Sequence, residues 1–260
     1  MLKAGIFLDM ENLKLNGGYS MRLDAVRDLV AAQGVTVLRA NAYLAVDSRR
    51  EQEDFDYQQR QQKYRDTVRM AGFHIVEKEV KRYKNEDGSF NVKANSDLDM
   101  AVDAILQAEN LDYILIGSGD GDFCRLVRAL QNKGKRVDAL AFDNVSGELK
   151  REVDYYFPGS VIPNLLPSPG GGDEGRLRGL LENVNVEKGF GFVSLRTGYS
   201  VTDIQSGIFC HISQVRENGE GISNERFHTL ARHNAVLEFN KTESDRGLQA
   251  IDVEVYQTSS

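Results

Sequence analysis

The run Tyr113-Ile114-Leu115-Ile116 ends in Gly117-Ser118-Gly119 and then in two carboxylates spaced i, i+2, Asp120 and Asp122. Phe123, Leu126, Val127 and Leu130 follow at helical spacing, so the stretch reads as a buried strand, a tight turn and a helix. In open parallel sheets the chemistry sits outside the carboxyl ends of the strands, where loops converge and helix N-termini point their amides inward. Two carboxylates at that edge repel each other unless protonated or bridged by a cation. Hard cations such as Mg²⁺ or Mn²⁺ prefer carboxylate oxygens. An Asp at a helix start is also a common N-cap, so each of these residues has two readings.

The same layout occurs earlier in the chain. Ala4 to Asp9 is a short strand that again ends on a carboxylate, with Glu11 and Asn12 next. A helix expected from Asp97 to about Glu109, capped by Ser96, carries Asp97 at its start. Leu98, Ala101, Val102, Ile105 and Leu106 form its expected buried face. Asp99 and Asp103 lie one turn apart on its polar side. Carboxylates from three strand ends or helix starts, Asp9, Asp97 and Asp120 with Asp122, could thus meet at one edge.

The elements that must position them alternate. Met21 to Gln33 reads as an amphipathic helix that Ser20 could cap, Val35 to Val46 as a strand, Ser48 to Met70 as one long polar helix, and Phe73 to Val76 as a strand. Lys135 to Phe142 is a further strand and Ser146 to Tyr156 a helix. This alternation implies an α/β fold, a Rossmann-like parallel sheet with helices on both faces. Between Lys78 and Lys93, Lys81, Arg82, Lys84 and Lys93 are interleaved with Tyr83 and Phe90. That segment reads either as a solvated hairpin or as a flap that contacts RNA.

All four prolines (Pro158, Pro163, Pro167 and Pro169) and Gly170-Gly171-Gly172 fall together. This divides the chain into a domain over 1–160, a linker over 161–174 and a second domain over 175–258. Short alternating strands after the linker, Gly175 to Val193, Gly207 to Ser213, Ala235 to Asn240 and Leu248 to Tyr256, suggest a small all-β barrel.

Composition narrows the classes. With 41% hydrophobic and 27% charged residues the chain has ordinary globular values, and no apolar run approaches membrane-spanning length. Cys124 and Cys210 are far apart and make no CxxC, which fits a reducing cytoplasm and argues against a zinc ribbon. The N-terminus enters a strand directly, without signal-peptide features. A net charge of −7 is unusual for a nucleic-acid binder, an objection that weakens if several acids are metal ligands. Gly117-Ser-Gly-Asp-Gly lacks the lysine of a phosphate-cradling loop, and Asp9-Met-Glu is not a DxDxT nucleophile motif.

Laid out as Phe7-Leu-Asp9-Met-Glu-Asn12, Lys93-Ala-Asn-Ser-Asp97-Leu-Asp99-Met-Ala-Val-Asp103 and Gly117-Ser-Gly-Asp120-Gly-Asp122-Phe123, the first half resembles the NYN domain of the LabA-like group, in the PIN-like nuclease superfamily. The resemblance implies an endoribonuclease dependent on Mg²⁺ or Mn²⁺. Asp9, Asp97, Asp120 and Asp122 would be the metal-binding carboxylates and Asn12 the amide that orients metal or substrate, with Asp99 a weaker candidate. Asp103 could as easily be solvated or capping. The implied products carry 5′-phosphate and 3′-hydroxyl ends.

The second half, with Lys188-Gly-Phe190-Gly-Phe192-Val193 and Ile208-Phe209-Cys-His211-Ile212, resembles a cold-shock domain, an OB-fold barrel. Alternate strand residues share a face, so Phe190, Phe192, Phe209 and His211 would form one platform for stacked bases, with Lys188 beside it. Leu181 to Val186 departs from the family, which usually has a tryptophan on the first strand; this chain has none and carries extra residues there. The expected partner is single-stranded RNA, held by the barrel and by Lys81, Arg82 and Lys93, with no membrane and with homodimerisation open. The alternative is a non-catalytic RNA-binding regulator of gene expression.

Overall fold

The computed structural model describes residues 1–84, 90–93, 96–167, 176–245 and 247–257, and of 81–84 and 90–93 the main chain only. Part of the expected linker, 168–175, lies outside the described residues. Two compact units divide at Pro158 and Gly159.

The first unit opens with β1 (Lys3–Asp9), α1 (Met10–Leu13), α2 (Leu23–Ala31), β2 (Thr36–Val46), α3 (Ser48–Glu53), α4 (Phe55–Met70) and β3 (His74–Glu79). A hairpin of β4 (Lys81–Lys84) and β5 (Phe90–Lys93) follows, then α5 (Asp97–Gln107), β6 (Tyr113–Gly117), α6 (Cys124–Gln131), β7 (Arg136–Ala141), α7 (Gly147–Glu152) and β8 (Tyr155–Pro158). The strands form one six-stranded sheet in the order β3-β2-β1-β6-β7-β8, with every pairing parallel. Consecutive strands run outward from β1 in one direction and from β6 in the other, so the switch point lies between them. Leu8 is in register with Gly117 there. A Cβ on Gly117 would stand 2.3 Å from Leu8 Cδ2, so glycine is what lets the two strand ends close.

Several element boundaries differ from those read in the sequence, each for a local reason. The polar helix breaks at Asp54, whose extended backbone ends α3 and whose carboxylate accepts from Tyr57 N–H at 2.9 Å to restart the chain as α4. Ser20 caps nothing, because α2 begins at Leu23 with Arg22 before it, and the Arg22 guanidinium binds Asp24 at 2.6 Å. Ser96 already has helical dihedrals and makes no side-chain cap. The helix expected to reach Tyr156 ends at Glu152, and Tyr155–Pro158 forms an edge strand, where a proline is tolerated.

Helix α5 is rotated from the expected orientation. Met100 and Ala104 are buried and Ala101 and Ile105 are half-buried, while Leu98 and Leu106 are 65% and 67% exposed and Val102 is exposed as well. The rotation satisfies polar groups of β2: Tyr43 O–H donates to Asp103 at 2.8 Å and Asn41 Nδ2 to Gln107 at 3.2 Å. Asp103, half-exposed, is therefore not a cap. It closes the hydrogen bond of a fully buried tyrosine.

The second unit contains β9 (Leu177–Asn185), β10 (Phe190–Arg196), β11 (Ile204–His211), β12 (Val215–Glu217), β13 (Glu220–Gly221), α8 (Asn224–Arg232), β14 (Val236–Ser244) and β15 (Gly247–Val255). Strands β11-β10-β9-β14-β15 follow in order and a β11–β15 pairing closes them into a five-stranded barrel. Leu181, Val193, Ile208, Cys210, Leu237 and Phe239 fill it, with Phe227 of α8 in the same core. The extra length on the first barrel strand is a bulge: Phe190 and Phe192 are opposed by Asn185 and Glu182, and Asn183 takes φ 44°. Val161, Ile162, Leu165 and Leu166, in the stretch expected as linker, are buried.

The orientation of α5 is open to test. Leu106→Gln is expected to change the unfolding free energy by no more than about 0.5 kcal/mol, whereas Met100→Ala costs about 2 to 5 kcal/mol. Urea titration of the full chain decides it, and a larger loss at Leu106 would restore the orientation read from the sequence.

Candidate functional site

Asp9 is the last residue of β1 and is only 6% exposed. Its Oδ1 accepts from Asn12 N–H at 3.1 Å, so it caps α1, and Ser118 Oγ lies 3.5 Å from its Oδ2. The Asn12 side-chain oxygen accepts from Gly119 N–H at 2.9 Å and ties the turn after β6 to the start of α1. Ser118 Oγ also accepts from Asp120 N–H at 3.3 Å, and Asp120 Oδ1 accepts from Asp122 N–H at 2.9 Å. Asp9 and Asp120 are N-caps, and they stand at the switch point with one carboxylate oxygen each in the capping bond.

Electrostatics join them to α5. Burial pushes the Asp9 carboxyl up to about 6; the Asn12 N–H opposes this, and the charges of Asp97, Glu11 and Asp120 add to it. The half-buried Asp97 is raised as well, by burial first and then by Asp120 and Asp122. Asp97 and Asp120 therefore act on Asp9, and Asp120 and Asp122 act on Asp97, Asp122 from the exposed rim. Asp99 is turned to Lys78, at 2.5 Å. Among the described residues, no three His, Cys, Asp or Glu side chains are grouped closely enough to hold a metal ion. The donor set nevertheless suits a hard divalent cation, because mutual repulsion is what such a charge relieves. Mg²⁺ that keeps several waters needs only one or two carboxylates.

Sequence reasoning missed Ser118 as the bridge between Asp9 and Asp120, since a serine among glycines reads as a turn residue. It also missed Lys14, whose ammonium lies 3.9 Å over the Tyr64 ring and 3.8 Å from Glu11. Burial lowers the Lys14 pKa. No local pattern announces a pair so distant in sequence.

On the barrel, Phe190 is opposite His211 and Phe192 opposite Phe209. The three phenyl rings are half-exposed, with centroids 5.5 Å (Phe190–Phe209), 5.9 Å (Phe190–Phe192) and 6.2 Å (Phe192–Phe209) apart. The alternate residues Gly191, Val193, Ile208 and Cys210 are buried, so the aromatic row is an outer face and not core. His211 Nδ1 is 2.8 Å from Ser213 Oγ, which fixes the ring at the end of the row. Lys188 is exposed in the turn between β9 and β10. Lys81, Arg82 and Lys93 pair through the β4–β5 main chain, and their side chains lie outside the described residues.

With an acidic switch point in one unit and an outward aromatic row in the other, comparison with known proteins becomes informative. Residues 3–163 match the NYN domain model. The chain belongs to the NYN domain family. After this NYN domain, residues 177–256 match the 'Cold-shock' DNA-binding domain, in agreement with the closed barrel. The low amplitude and bright protein LabA of Synechococcus elongatus is 29% identical over 111 residues, 42% of this chain and 60% of that protein. The chain therefore spans less than two thirds of that relative. A solved structure of a protein of unknown function from Vibrio parahaemolyticus is similar at 24% identity and a TM-score of 0.48, covering 64% of this chain and 96% of that one. An NYN domain followed by a cold-shock domain suggests a nucleic-acid-binding protein of a nuclease superfamily. No helix among the described residues is long and apolar enough to cross a membrane.

The raised Asp9 pKa fixes the sign of a pH effect. In chelator, the folded chain holds this proton more tightly than the unfolded chain, whose value is near 3.8. Stability from this group is therefore full below about pH 4 and is lost as the pH rises through about 6. Asp9→Asn is expected to match the parent at pH 4 and to exceed it at pH 7 by at most about 3 kcal/mol. Denaturation at the two pH values checks this, and a variant less stable than the parent at pH 7 contradicts it.

Proposed function

We propose that this NYN protein is a metal-dependent endoribonuclease acting on single-stranded RNA, with the cold-shock barrel holding the substrate. The observation that carries the reading is the coupled burial of Asp9 and Asp97 with Asp120 at the switch point of a parallel sheet. Capping accounts for Asp9 and Asp120 but not for Asp97, whose carboxyl is held beside them at a cost in free energy. Asp9, Asp97, Asp120 and Asp122 would hold Mg²⁺ or Mn²⁺. That ion, when bound, supplies charge neutralisation at the phosphate and a water of lowered pKa. Asp9 is fixed in orientation by the Asn12 N–H and Ser118, and Asp120 by the Asp122 N–H, so neither needs to reorganise on binding. Asn12 keeps the turn after β6 docked against α1, which sets the separation of Asp9 and Asp120.

The barrel contributes affinity through stacking, since from residue 175 onward nine Lys or Arg face eleven Asp or Glu. Three clustered phenyl rings offer π-faces to successive bases, each stack contributing about 1 to 3 kcal/mol. Phe209→Ala is expected to weaken RNA binding about tenfold or more without lowering the cleavage rate at saturating RNA. Fluorescence anisotropy beside single-turnover cleavage separates the two effects, and unchanged affinity would remove the platform from the binding site.

A second reading, a non-catalytic RNA-binding regulator, is favoured by one observation: the caps already give Asp9 and Asp120 a structural use, and no closed three-carboxylate cage is present among the described residues. A 5′-labelled single-stranded RNA incubated with Mn²⁺ or with EDTA, beside Asp120→Asn, separates the readings. The nuclease predicts internal cleavage that requires metal and falls at least 100-fold in the variant. Binding without cleavage at any metal concentration leaves the regulator.

A further inference from the structure

Between the segment that follows α1 and the helix α4 lies a cavity of about 440 Å³, lined among others by Met10, Gly18, Tyr19, Met21, Tyr64 and Thr67. Met10, in its lining, directly follows Asp9 in the chain. The lining is held in shape. Lys14–Gly18 is a kinked segment rather than a regular helix, with Asn16 at φ −108° and Gly17 at φ 107°. Asn16 bridges the turn, its Nδ2 donating to Asn12 O at 2.7 Å and its Oδ1 accepting from Asn144 at 3.0 Å. Gly18 packs on Phe142 so closely that a Cβ would come within 2.5 Å of the ring. Across the cavity, the Lys14 ammonium over the Tyr64 ring fixes the plane of that ring.

The lining differs in kind from the acidic edge. Its two charged residues, Arg22 and Asp24, bind each other at 2.6 Å, and the other groups are thioethers, phenols, hydroxyls and small apolar side chains. Tyr19 stands at the rim, 81% exposed. A nucleic-acid strand brings phosphates and uncharged, planar bases to such a place. The acidic edge, through its cation, answers the phosphate; a neutral cavity with two tyrosines and two methionines answers a base. Its volume is within the range of small-ligand sites. We propose that this cavity seats the nucleobase adjoining the phosphate held at the acidic edge, an inference that rests on the nuclease reading above.

The test uses the full chain carrying Phe190→Ala and Phe209→Ala, which removes capture by the barrel platform, and a single-stranded RNA containing 4-thiouridine. Irradiated with Mn²⁺ at times short relative to cleavage, the RNA is expected to crosslink to the peptide containing Tyr19 or Tyr64. Thr67→Phe, which fills the cavity mouth from an exposed helical position, is expected to reduce that crosslink at least tenfold with unchanged thermal unfolding. With Mn²⁺ and the native barrel, Thr67→Phe and Tyr19→Ala are each expected to slow cleavage about tenfold. RNA abasic at the crosslinked position should be cut equally by parent and variants. Metal-dependent cleavage indifferent to both substitutions, with no crosslink at the cavity, overturns the base seat and leaves the nuclease standing. A crosslink that Thr67→Phe removes, without cleavage at any metal concentration, supports the seat and overturns the nuclease.

Discussion

The constraint on which the first unit depends is the burial of carboxylates at one edge, to which like-charge repulsion adds. Asp9 and Asp97 are held where burial and neighbouring carboxylates oppose their ionisation. Everything adjacent serves to keep them there. The β1–β6 pairing closes over Gly117, the Asn12–Gly119 bond docks the turn, and Ser118 stands between Asp9 and Asp120. Further from the edge the same sheet satisfies its buried polar groups completely, as in Tyr113 and Arg136 about Asp138. Asp138 is raised by burial too but has a guanidinium and a phenol as partners, which the edge cluster lacks among the described residues.

Under the proposed reading, the two units would divide the demands of a nucleic-acid ligand between them. One concentrates negative charge that only a cation makes compatible with phosphate. The other presents aromatic faces that recognise no charge at all. The barrel can do this because β10 and β11 alternate through this stretch, with Val193, Ile208 and Cys210 inward and the phenyl row outward. Glu182, opposite Phe192, is taken up by Ser194 Oγ at 2.7 Å, which directs that carboxylate into a hydrogen bond within the sheet.

Much of this was legible in the sequence because it rests on local signals. Strand-then-Asp occurs twice, and period-two aromatics mark β10 and β11. What failed was decided by tertiary partners. The face of α5 was misread because Leu98, Val102 and Leu106 are more hydrophobic than Met100, Ala104 and Ala108. Tyr43 and Asn41 of β2, needing Asp103 and Gln107, decide the rotation, and no window of α5 itself contains them. The break at Asp54 was hidden because aspartate also stands in polar helices. The Lys14–Tyr64 stack and the cavity beside it depend on how α4 lies against the turn after α1, which periodicity does not encode.

The balanced charge of the barrel has a thermodynamic consequence. Affinity for a polyanion carried by lysines and arginines draws on the release of condensed counterions, and so falls steeply as salt is added. A surface of phenyl rings amid nearly equal numbers of acids and bases releases few of them. Its grip on a strand would be set by desolvation and stacking, with little dependence on ionic strength. Such a module holds its ligand across changes of salt that would detach a basic groove.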